Sequence, residues 1–99
     1  MDYAVKIMPQ AQQELEDIAY FIALDNPNRA RIFVKELVKS IRNTLSTLPE
    51  SGAIYKGDVR KIAYKGYTAF YQVKNDIEQV NILHIVNLTQ PLSVRNLSF

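Results

Sequence analysis

The chain has 99 residues, 47% hydrophobic and 22% charged, with three Gly and four Pro, a globular composition that excludes disordered and collagen-like classes. It has no Cys, which removes disulfide scaffolds, thiolate catalysis and Cys-based metal sites. A net charge of +2 conceals an uneven distribution: residues 1–25 hold one Lys against five acids, residues 29–74 ten Lys or Arg against three acids, and residues 75–99 one Arg against two.

The length suits one domain, 1–99, with a single modest core that buries ~60–65% of the unfolded surface. The opening MDYAVKIMPQ has no signal-peptide apolar core, and no apolar run reaches the ~18 residues of a membrane span, so a cytoplasmic protein with no membrane partner is expected. The basic middle fits attraction to an acidic partner or a polyanion as well as it fits a solvated helix face.

Residues 3–8, YAVKIM, alternate loosely and predict a first strand that Pro9 ends. From Pro9 to Leu24 the positions Ala11, Leu15, Ile18, Ala19 and Ile22 recur at helical spacing, and Glu14, Glu16 and Asp17 are read as first-turn acids suited to the helix dipole. That reading leaves them no metal or glycosidase role. Asp25-Asn26-Pro27 then supplies an N-cap followed by proline at the first helical position. The second helix runs to about Leu48 with Ala30, Val34, Leu37, Val38, Ile41, Leu45 and Leu48 on one face, forming an antiparallel hairpin with the first. Arg31, Lys35, Lys39 and Arg42 make a basic stripe on its other side.

Pro49, Ser51 and Gly52 close this helix and begin a loop expected to run through Gly57. Strands follow at about 58–64, 67–74 and 77–87, joined by short turns at Lys65-Gly66 and Asn75-Asp76, which require an antiparallel meander. In the last strand Val80, Ile82 and Val86 fall on one face with His84, and Leu83 and Ile85 on the other, as in a central strand or one covered by the helices on one side and by something else on the other. The order β-α-α-β-β-β gives an α+β domain: a helical hairpin packed on one face of a mostly antiparallel four-stranded sheet. The tail at 91–99 reads as a short extra strand or an extension.

Glycine-rich phosphate loops are absent, so no cofactor is expected, and no metal-ligand spacing occurs. The one histidine, His84, sits mid-strand, where a packed residue is commoner than a catalyst. Tyr64, Tyr67 and Tyr71 suit base stacking or a protein contact, with cross-strand packing the plainer reading of the last two.

The ordered set of Pro9, Ala11, Leu15, Asp17, Ile18, Tyr20, Ile22, Asn26, Pro27, Ala30 and Phe33, then Leu48-Pro49, Gly52, Val59-Arg60, Gly66-Tyr67, Phe70-Tyr71 and VNILHIVN, resembles the RelE/ParE superfamily of type II toxin-antitoxin toxins across nearly the whole chain. The helix-one pattern, Asn-Pro turn and long paired helices look more like the ParE branch. The resemblance implies growth arrest and plasmid stabilisation by binding a target such as DNA gyrase, and neutralisation by a cognate antitoxin. Candidate binding residues are the stripe Arg31, Lys35, Lys39 and Arg42 with the hairpin residues Arg60, Lys61 and Lys65.

Ribosome-dependent ribonucleases of the superfamily position mRNA with several Lys or Arg and often a Tyr or His, because phosphate chemistry needs positive charge and a proton donor or acceptor. Arg60, Lys61, His84 and Tyr71 are the candidates here, with the ribosome and mRNA as partners. Thr68 stands where the resemblance leads to arginine, and Leu88 and Thr89 replace an expected basic pair. The balance leans away from an enzyme, with the endoribonuclease and a degenerate, non-toxic interaction module as the other readings.

Overall fold

The computed structural model describes residues 2–87. Strand β1 (Ala4–Ile7) leads into helices α1 (Pro9–Ala23) and α2 (Pro27–Thr47), then strands β2 (Ala53–Lys56), β3 (Val59–Tyr64), β4 (Tyr67–Lys74) and β5 (Gln79–Val86). They form one five-stranded sheet in the order β1-β5-β4-β3-β2, antiparallel except for the parallel pair β1–β5. The helical hairpin carries the chain from one edge of the sheet to the other, and the meander returns it beside β1. The expected α+β architecture holds, with five strands instead of four.

The added strand is β2, in the segment read as a loop. Its four residues, all exposed, lie between helix-closing and glycine-rich positions and pair only with β3, in a ladder whose register slips between Ile54 and Lys56. Four residues at an irregular edge carry too little local pattern to show as a strand.

Local chemistry fixes the helix ends. Pro9 and Pro27 each occupy a first-turn position, and the Asn26 side chain accepts the Arg29 N–H at 3.1 Å, capping α2. No acid lies in the first turn of α1. Glu14, Glu16 and Asp17 come too late for the dipole role read from the sequence, because the helix already begins at Pro9.

Ala11 and Leu15 of α1 meet Phe33, Leu37, Ile41 and Leu45 of α2 over Ala69, Tyr71, Val80, Ile82 and Ile85 of the sheet, with Ile18 and Ile22 packed against them. Phe33 joins this core and its ring lies 5.4 Å from that of Tyr67, whereas Leu48, expected on the buried face, is exposed. On the helix-free face Val59, Phe70 and Val86 form a second cluster with Leu83.

That second cluster corrects the faces assigned to β5. Phe70 pairs with His84 and Tyr71 with Ile82, so Leu83 is an extra residue. The bulge inverts the alternation beyond it. Ile85 therefore joins Val80 and Ile82 in the main core, and Val86 joins Leu83, the reverse of a strict period of two. The strand also begins two residues later than expected, because Asn75–Ile77 is a short 3-10 turn closed by Glu78 in the left-handed region, φ 49°. The tight turn at Lys65-Gly66 is as expected. Both residues have positive φ, 44° and 88°, as a two-residue primed hairpin turn demands.

Candidate functional site

On α2, residues four apart lie one above another, so Ala30, Val34 and Val38 form an apolar row beside Arg31, Lys35, Lys39 and Arg42. With Ala19 of α1 and Asn43 they line an open groove of about 600 Å³, apolar in its floor and basic in its walls. The structure thus brings all four predicted stripe residues together. None of the four is in an ion pair among the described residues. The sequence did not reveal the floor: Val34 and Val38 pack against the main core, as their helical spacing implied, but both are only half-buried and also line the groove.

The hairpin residues do not converge in the same way. Alternation along β3 sends Arg60 and Lys61 to opposite faces of the sheet. The Arg60 guanidinium donates to the carbonyl oxygens of Gly52 (2.9 Å) and Glu50 (3.2 Å), and lies 4.0 Å from the Glu50 carboxylate. The Gly52 N–H donates to the Tyr71 phenol oxygen at 2.9 Å. Together they clamp the turn between α2 and β2.

Gly52 is required at this point, because a Cβ there would lie 2.5 Å from the Lys61 carbonyl oxygen and 2.5 Å from the Tyr71 hydroxyl. Burial pushes the Tyr71 phenol above its usual range. The Gly52 N–H and the Arg60 charge pull it back in part, while Glu50 adds to the rise.

Lys61 lies on the helix-free face with its ammonium 5.8 Å from the Tyr55 ring, which meets Phe70 edge-on at 4.8 Å. Lys65, at the hairpin tip, sits 5.5 Å from the Tyr64 ring and borders a second, more polar cavity of about 350 Å³ with Arg29 and Glu36. Thr68 is buried, its strand position flanked by Ala63 and Val86. Leu88, Thr89 and the 91–99 tail lie outside the described residues.

His84 is buried, and its Nδ1 lies 3.1 and 3.2 Å from the two carboxylate oxygens of Glu14 on α1. An ionised carboxylate only accepts, so Nδ1 carries the hydrogen. Glu14 also accepts the Ile85 N–H at 3.0 Å. The reason lies in the sheet: β1 pairs with β5 only as far as Ile82, and the chain then turns away into α1. Glu14 satisfies a donor on the uncovered edge of β5 that a neighbouring strand would otherwise take.

This partnership was missed although a signal existed. Glu14 stands three residues after Ala11 and four before Ile18, inside the apolar stripe, where a charge needs a partner.

Among the described residues, no group of three or more His, Cys, Asp or Glu is placed to hold a metal ion. None of their helices is long and apolar enough to cross a membrane.

Residues 5–87 match the family model described as the ParE toxin of the type II toxin-antitoxin system parDE. A search of curated proteins returned no match. Among solved structures, the fold is similar to that of a chromosomal ParDE toxin-antitoxin system from P. aeruginosa, with a TM-score of 0.73 and 22% identity over 86% of this chain and 95% of that one. It is also similar to the RelBE2 toxin-antitoxin complex from Mycobacterium tuberculosis, at a TM-score of 0.69 and 18% identity over 88% and 92% of the two chains. The free E. coli RelE toxin, in a mutant form, gives a TM-score of 0.59 and 17% identity over 99% and 100%. At these identities the likenesses are of fold, while the family model rests on the sequence itself. The chain belongs to the ParE toxin family of type II toxin-antitoxin systems.

Proposed function

We propose that the protein acts as a toxin by binding a cellular target, DNA gyrase by analogy with its branch of the family, and that a cognate antitoxin neutralises it by laying an acidic, amphipathic segment into the α2 groove. The groove carries this reading. Ala19, Ala30, Val34 and Val38 offer a floor for apolar anchors, and Arg31, Lys35, Lys39 and Arg42 offer walls for flanking acids. Segments that fold on binding use this combination.

The state of the hairpin favours binding over cleavage. Arg60 is engaged with main-chain carbonyls, Tyr71 is buried, His84 is held by Glu14 and Thr68 brings no charge. Little is left to clamp a phosphate. One observation favours the ribonuclease as the second reading: Lys61 beside the partly exposed Tyr55 ring is a cation and an aromatic face of the kind that holds a nucleotide.

Two experiments separate these readings. Purified protein is expected to inhibit gyrase supercoiling and to leave mRNA intact on translating ribosomes; codon-positioned cleavage with supercoiling unaffected would reverse the assignment. Reversing two walls, Lys35→Glu with Lys39→Glu, is expected to weaken the antitoxin at least about tenfold and flatten its salt dependence. Unchanged affinity would remove the groove as its seat.

A further inference from the structure

The end of α1 carries an apolar ridge that the core does not use. Tyr20, Phe21 and Leu24 are 71%, 64% and 67% exposed, and their spacing of three and four residues sets them side by side. Three large apolar side chains grouped on the surface at the end of one helix differ from the scattered singles of an ordinary exterior. The ridge has acidic margins, since Glu16 and Asp17 lie one turn before it and Asp25 directly after it. Helix α1 contains no Lys or Arg.

The complementary surface is on the same molecule. The α2 groove has an apolar floor and four basic side chains in its walls, and among the described residues Glu16, Asp17 and Asp25 are in no ion pair. Ala19, which lines the groove, adjoins Tyr20 of the ridge in sequence, so ridge and groove are neighbours on the surface. Two copies related by a two-fold axis then exchange both contacts at once, which closes the pair.

We propose that the free protein self-associates, with the Tyr20–Phe21–Leu24 ridge of each copy seated in the α2 groove of a second copy and the acids of the ridge facing Arg31, Lys35, Lys39 and Arg42. Any other occupant of the groove then competes with self-association. The inference draws on the chemistry of the two faces and does not require that an antitoxin use the groove.

The test is sedimentation equilibrium on the full chain alone, with no antitoxin peptide present, so a negative result leaves the antitoxin reading untouched. The average mass is expected to rise with concentration from 11.4 kDa towards twice that value. Phe21→Arg is expected to weaken the association at least about tenfold, with Phe21→Ser in its place if circular dichroism shows a folding defect.

A reversed ridge (Glu16→Lys, Asp17→Lys) and a reversed groove (Lys35→Glu, Lys39→Glu) are each expected to be monomeric alone and to pair when mixed. A mass that stays monomeric at every concentration would overturn the proposal. So would association indifferent to the Phe21 variants, or reversed forms that fail to pair on mixing.

Discussion

The Tyr71 phenol accepts the Gly52 N–H and sits beside a guanidinium already committed to the carbonyls of the same turn. A hydroxyl so placed holds structure, and it makes stability depend on alkali. Because burial raises its pKa in the fold, the unfolded chain loses this proton first, from about pH 10. Above that pH the unfolded state binds fewer protons than the native one, so the contribution is whole below pH 10 and is lost as pH rises through the folded value. Tyr71→Phe is expected to cost about 1–2 kcal/mol at neutral pH by leaving the Gly52 N–H without its acceptor, and to show a smaller decline than the parent between pH 9 and 11 in urea titrations. A parallel decline in both proteins would remove Tyr71 as its source. The sequence placed Tyr71 on the sheet as a cross-strand packing residue, but the clamp was not legible, because it depends on a turn 19 residues away in the chain.

At the level of elements, periodicity and turn chemistry carried most of the reading. Both proline-started helices, the β3–β4 hairpin and the interior position of β5 follow from local rules. What escaped was set by neighbours. Strand β2 exists through its pairing with β3, and the bulge at Leu83 changes faces that a period of two cannot anticipate. Glu14 is the clearest case, a helical residue whose role belongs to a strand. Glu14→Ala is expected to cost about 2–3 kcal/mol, since the Ile85 N–H and His84 Nδ1 both lose this acceptor, while Glu14→Gln keeps one acceptor and costs less. Amide exchange at Ile85 should accelerate in the alanine variant more than at Val80 in the same strand. A cost below about 0.5 kcal/mol would mean that water serves the edge equally well.

For the whole molecule, charge was legible by segment and site only in part. The excess of positive charge at residues 29–74 is concentrated where α2 presents four cations beside an apolar row, and it is dispersed over the hairpin, where Arg60, Lys61 and Lys65 go to separate places. The resemblance indicated the family, but no sequence pattern showed that three of the four catalytic candidates, Arg60, Tyr71 and His84, are engaged in contacts within the fold. The parallel pairing of β1 with β5 has a consequence for how the chain folds. It joins Ala4 to Gln79, far apart in the chain, whereas the helical hairpin and the meander close over short distances. Ordering the long intervening chain is affordable only after those local units exist, so β1 docks last, on the native side of the rate-limiting barrier. Val5→Ala, at a position packed on the main core, should therefore cost about 1–2 kcal/mol and appear in chevron plots almost entirely as faster unfolding, with the folding rate within about twofold of the parent. A folding rate that falls in proportion to the lost stability would place β1 in the nucleus instead. A strand that docks last is also the first to leave, so brief excursions of the native protein begin by baring one edge of β5.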